Sequence, residues 1–172
     1  HGGAVHVQYG AFMAFNSSIS GNRALYSGAL FAQGGATVRL KNTAIRFNKG
    51  LTASICIRDS TTSFEMVGGM IESNIGSTSS NGGGITCSEG SQCTIISVTI
   101  RQNIAGAAAG IDIHTGALLN LKDSIVEFNG NEFTNGGAGI GCYSVDATAT
   151  CNISNVIIRY NKALSAHNAQ WY

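Results

Sequence analysis

One short string governs what this chain can become: an aliphatic residue, two variable positions and an asparagine, repeated six times in 172 residues. It occurs at Ile19–Asn22, Ile45–Asn48, Ile71–Asn74, Ile100–Asn103, Val126–Asn129 and Ile158–Asn161, and successive asparagines lie 26, 26, 29, 26 and 32 residues apart. A unit this short cannot enclose a core of its own, so it must stack on its neighbours.

The residues between the asparagines fall into columns. Val5, Leu30, Ile55, Ile85, Ile111 and Ile140 form one apolar column. Val7, Ala32, Ile57, Cys87, Ile113 and Cys142 form another two positions later. Between them stand His6, Phe31, Cys56, Thr86, Asp112 and Gly141, a mixed set. This alternation predicts a strand with one buried and one outward side. A second apolar pair precedes each asparagine: Phe12, Val38, Phe64, Cys93, Leu119 and Cys151, then Ala14, Leu40, Met66, Ile95, Leu121 and Ile153. Six positions before each asparagine the residues are Asn16, Asn42, Gly68, Ser97, Asp123 and Asn155, nearly all turn formers, so the chain is expected to bend there.

The sequence has no proline, which suits internal parallel ladders in which every N–H is needed, and its 23 glycines suit tight corners. The leucine spacing of a leucine-rich repeat is absent. The expected fold is therefore all-β: a right-handed parallel β-helix, or β-solenoid, of about six turns of 26–33 residues. Residues 1–172 are expected to form one such segment.

Two ladders follow from stacking. Asn22, Asn48, Asn74, Asn103, Asn129 and Asn161 are expected to form a structural amide ladder that satisfies corner backbone groups. Two positions before them, Ser20, Arg46, Glu72, Arg101, Glu127 and Arg159 alternate in sign, which favours register. The five cysteines also fall into columns. Cys87 and Cys93 flank one short excursion and Cys142 and Cys151 another, all on inward columns, so disulfides Cys87–Cys93 and Cys142–Cys151 would staple the loop bases. Cys56, on the outward column, is expected to be a free thiol. No CxxC is present and no metal site is expected. Paired cysteines point to an oxidising, extracellular or cell-surface setting. Two N-glycosylation sequons begin at Asn16, a corner, and at Asn152, an outward strand position.

The small-residue strings GGAV (2–5), SGAL (27–30), GGGI (82–85) and GAGI (137–140), with the six asparagine strings, resemble the polymorphic outer membrane protein repeats, whose hallmarks are GGA[ILV] and FxxN. Here Ile or Val stands in place of the phenylalanine. The resemblance covers nearly the whole chain and implies a parallel β-helix in an extracellular or surface protein.

Net charge is +1 with no basic block, so nothing marks a nucleic-acid or anionic-lipid partner, and no apolar run is long enough to span a membrane. Carboxylates number nine, and Asp59, Asp112, Asp123 and Asp146 fall on different turns or corners. The best chemical cluster is Asp112 with His114, both read as outward, with Arg58 two turns away in the column Gln8, Gln33, Arg58, Ser88, His114, Tyr143. A glycosidase needs two carboxylates about 5–10 Å apart, and adjacent columns do not supply them. The expectation is no catalytic site and no cofactor. The chain reads as a structural segment that stacks end to end on copies of itself in a filament or surface stalk. Joining it to a following copy would separate Asn161 from the next Asn22 by about 33 residues, close to the longest natural spacing of 32. A carbohydrate- or host-binding adhesin is the alternative, with Tyr9, Phe31 and Tyr143 near one face. A polysaccharide lyase or hydrolase ranks below both.

Overall fold

The computed structural model describes residues 2–77, 82–131, 137–143 and 148–163. Every regular element among them is a β-strand, and the strands stack in parallel as a solenoid. The first sheet contains Val5–Gln8, Ser27–Gln33, Ala53–Ile57, Ile85–Cys87, Ile111–Ile113 and Ile140–Cys142, side by side in chain order. Five circuits of the chain join these six strands, so the solenoid has about five turns where six repeats suggested six.

The register follows the sequence columns. Val5 pairs with Leu30, Leu30 with Ile55, Ile55 with Ile85, Ile85 with Ile111 and Ile111 with Ile140. The second sheet holds the two column pairs before each asparagine, as in Thr37–Arg46 and Ser63–Glu72, which pair in parallel along nearly their whole length. Its strands bend at the expected corner: Asn16, Asn42, Gly68, Ser97, Asp123 and Asn155 all have φ between 48° and 68°. A third sheet, of two-residue strands such as Ile104–Ala105 and Gly130–Asn131, forms immediately after the asparagines, where the sequence suggests only variable loop.

The apolar columns meet inside. Leu30, Ile55, Ile85, Ile111, Phe64, Met66, Ile71 and Ile100 are all 1% exposed or less. The small-residue strings have a specific purpose at this level. A Cβ on Gly84 or Gly110 would lie 2.6 or 2.3 Å from the carbonyl oxygen of the glycine one rung on, and 3.3 or 3.1 Å from the amide nitrogen of Asn103 or Asn129. Glycine there lets successive backbones close up against the asparagine ladder.

Each ladder asparagine is bonded to the next rung. Its backbone N–H and its Nδ2 both donate to the Oδ1 of the following asparagine, at 2.9–3.1 Å, from Asn22 through Asn48, Asn74, Asn103 and Asn129 to Asn161. The same Nδ2 reaches back to the preceding rung, as in Asn74 to the Ile45 carbonyl at 2.9 Å. Asn48, Asn74, Asn103 and Asn129 are fully buried, so their side chains complete the hydrogen bonding of a corner that water does not reach. In the outward charge ladder Arg101 bridges to Glu72 at 2.6 Å and Arg159 to Glu127 at 2.8 Å. The arginine stems cover the glutamates, whose side chains are only 14% and 10% exposed.

The structure joins Cys87 to Cys93 and Cys142 to Cys151, linking the first sheet to the second across each excursion. Cys56 is the one free cysteine, and here the expectation of an outward thiol is corrected: it is 3% exposed. The reason is a layer of chain lying over the outer face of the first sheet. Phe31, Thr86 and Asp112 of the same column are 1% exposed or less. The Tyr26 ring packs edge-on against Phe31, and a Cβ on Gly82 would fall 2.2 Å from Thr86 Oγ1. Burial raises the Cys56 thiol to about 11, outweighing the nearby Arg58 charge. The thiolate is the reactive form, so Cys56 should stay inert to a disulfide-exchange reagent at pH 8 in the native protein and react once the chain is unfolded without reduction. Peptide mapping under the same conditions should recover the 87–93 and 142–151 links; rapid labelling of the native thiol would contradict the covered face.

Candidate functional site

The covered face of the first sheet carries the chemistry. Ser27 Oγ, Ser54 Oγ, Thr86 Oγ1 and both carboxylate oxygens of Asp112 are buried without a hydrogen-bond partner. Strand alternation places Ser54, Cys56, Thr86 and Asp112 on this side of the sheet, while Ile55, Ile57, Ile85 and Ile113 fill the core on the other. A buried polar group left unpaired costs about 1–3 kcal/mol, so a row of them is a departure from ordinary core construction.

Asp112 lies at its centre. Its side chain is 0% exposed, which corrects its reading as an outward residue: it points away from the core and is roofed over. Burial pushes its carboxyl above the usual range, while the Tyr143 hydroxyl, the His114 imidazole and the Thr86 hydroxyl pull it down. His114 Nε2 stands 3.4 Å from Asp112 Oδ2. The Tyr143 ring stacks on the imidazole, with centroids 6.0 Å apart and 15° between planes. Burial and the Asp112 charge hold Tyr143 in its neutral form. His114 Nδ1 contacts the Thr115 hydroxyl at 2.9 Å.

Of the column that includes His114, Arg58 does not join this cluster. It pairs with Glu89, its Nε 3.1 Å from Oε1. The other aspartates are in separate structural contacts. Asp59 caps its own turn, accepting from the Gly34 amide and from Thr61 and Thr62; these bonds outweigh the opposing effect of burial and hold it down to about 2. Asp123 accepts from Asn155 Nδ2 at 2.6 Å. Asp146 lies outside the described residues. No group of three or more metal-ligating side chains occurs among the described residues. The sequons at Asn16 and Asn152 are both exposed; Asn152 Nδ2 donates to Asn120 Oδ1 at 3.0 Å. Of the three aromatics expected near one face, Tyr9 and Tyr143 are open and Phe31 is buried.

No protein-family model, curated protein or solved structure matches the chain.

The direction of the Asp112 shift fixes a pH effect. A carboxyl held higher in the folded than in the unfolded state contributes stability below its unfolded value of about 3.9, and that contribution is lost as pH rises through the folded value. Asp112→Asn, which keeps the shape and removes the charge, should therefore unfold later than the parent at pH 8 and show a smaller gain at pH 4. Melting curves at the two pH values check this, and a variant equally destabilised at both would contradict it.

Proposed function

We propose that this chain is a segment of an extracellular β-solenoid whose rungs continue end to end with those of a further copy, forming a filament or surface stalk. The observation that carries the reading is the direction of the asparagine ladder. Every link runs from the N–H and Nδ2 of one rung to the Oδ1 of the next. Among the described residues, Asn22 Oδ1 accepts no hydrogen bond and the Asn161 N–H donates none. An acceptor at one end and a donor at the other fit only head to tail, a contact that propagates rather than closes.

The apolar columns support the same geometry. Ile153 and Ile158 on the last described rung are 45% and 50% exposed, whereas Leu121 and Val126, one rung earlier in the same columns, are 1% exposed or less. The corner amides would continue too, since Asn16 Oδ1 already accepts from Asn42 at 3.3 Å and Asn155 stands in that column at the far end. Two disulfides are compatible with an extracellular location, and no helix among the described residues is long and apolar enough to cross a membrane.

The test is assembly of the purified chain, followed by sedimentation and electron microscopy. Filaments should lengthen with concentration and diffract at about 4.8 Å along their axis. Ile158→Lys should keep the β-sheet circular dichroism and abolish assembly. A parent chain that stays monomeric at millimolar concentration would overturn the proposal.

A second reading is favoured by one feature. The second sheet carries an open recess of about 520 Å³ whose lining includes Thr94, Asn120, Lys122, Asn152 and Ser154 beside the apolar Ile96 and Ile153. Amides, hydroxyls and an ammonium suit a glycan, so saturable binding on a glycan array, lost in Asn120→Ala, would favour an adhesin. A polysaccharide-cleaving enzyme has less support, because the aspartates discussed above are in unconnected contacts.

A further inference from the structure

We propose that Thr115, His114 and Asp112 form an acyl-transfer site, in which the Thr115 hydroxyl attacks the carbonyl carbon of a carboxylic ester. The geometry is that of a nucleophile, a base and a group that orients the base. Thr115 Oγ1 lies 2.9 Å from His114 Nδ1, and Nε2 of the same ring lies 3.4 Å from Asp112 Oδ2. An Asp112 carboxylate favours the tautomer protonated at Nε2, which leaves the Nδ1 lone pair facing the hydroxyl. The carboxylate is 0% exposed, with the imidazole, the Tyr143 hydroxyl and the Thr86 hydroxyl as the polar groups around it. Tyr143 stacks on the ring and limits its rotation.

The turn that carries the hydroxyl supports the assignment. Thr115 and Gly116 have φ of 51° and 76°, a conformation that a β-branched residue adopts only at a cost. The equivalent turn one rung earlier has the same shape, at Glu89 and Gly90, but Ser88 stands in the histidine column there.

The reaction balances without a cofactor. As Thr115 Oγ bonds to the acyl carbon, its proton passes to His114 Nδ1. When the carbon–oxygen bond to the leaving group breaks, the same proton goes to the departing alkoxide. Water then attacks the acyl-threonine by the reverse route, so an ester and water give an acid and an alcohol. Asp112 is a positioning residue throughout.

The experiment uses p-nitrophenyl acetate on the folded chain, following p-nitrophenolate release and locating acetyl groups by peptide mass mapping. The expected result is a burst with acetyl on Thr115 ahead of every other hydroxyl. It should be abolished in Thr115→Ala, retained in Thr115→Ser, and reduced at least about 10-fold in His114→Ala. Asp112→Asn should lower the burst and shift its pH profile while leaving the circular dichroism unchanged. A Thr115→Ala variant that reacts as fast as the parent would assign the reaction to the imidazole alone and overturn the proposal. Acetyl found only on lysines would do the same. Neither outcome depends on whether the rungs stack end to end.

Discussion

Ile111→Asp is expected to unfold the middle of the solenoid, at a cost of about 5 kcal/mol. Ile111 is 0% exposed and sits in register between Ile85 and Ile140. Losing its burial removes about 2–3 kcal/mol, and the new carboxyl would face aliphatic carbon with no donor in the column to meet it. The neighbouring position makes the control. Asp112 already places a carboxyl on the other side of the same strand, and Asp112→Asn should be stabilising at pH 8. Two substitutions one residue apart should therefore act in opposite directions, because strand alternation sends one side chain into the core and the other under the roof. Urea unfolding of both variants at pH 8 measures the difference. An Ile111→Asp variant as stable as the parent would mean that this column does not form the core.

The same strand shows why part of the structure could be read in advance and part could not. The inward columns announce themselves, because stacked rungs repeat the same chemistry at the same offset and chance does not align six aliphatic residues. The cysteine pairs follow from those columns, since two inward cysteines across one excursion have few other partners. The covering of the outer face has no such signature. His6, Phe31, Cys56, Thr86 and Asp112 look like a solvated side; His6 at the first rung is indeed exposed, and nothing in the column's own chemistry marks the other four as covered.

A second corner was hidden for a different reason. The residue before each ladder asparagine has positive φ throughout, yet it is Phe47, Gln102, Phe128 or Tyr160 as readily as Gly21 or Ser73. Phenylalanine and tyrosine are strand formers, so local propensity argues against the bend that the asparagine's hydrogen bonds impose. The contact between His114 and Thr115 is likewise invisible to period-two reading, because it forms where the strand has already turned.

Asn74→Leu carries the second large effect, at about 3–4 kcal/mol, with almost no change in volume. The amide it removes accepts from the Asn48 N–H at 3.0 Å and from Asn48 Nδ2 at 3.1 Å. It also donates to the Ile45 carbonyl and to Asn103 Oδ1, both at 2.9 Å. Not all four losses weigh alike. Asn48 Nδ2 keeps the Ile19 and Arg46 carbonyls, and Asn103 Oδ1 keeps the Asn74 backbone N–H. The Asn48 N–H is left with nothing, in a corner that is 0% exposed, and that orphan dominates the cost. Asn22→Leu isolates the point. Asn22 is half-buried and its Oδ1 accepts nothing among the described residues, so the monomeric chain should lose only about 1 kcal/mol. Denaturant midpoints of the two variants test the ratio, and equal losses would show that side-chain volume rather than the ladder sets the cost. In an end-to-end assembly the second value should rise, because Asn22 Oδ1 would then receive the Asn161 N–H of the neighbouring copy.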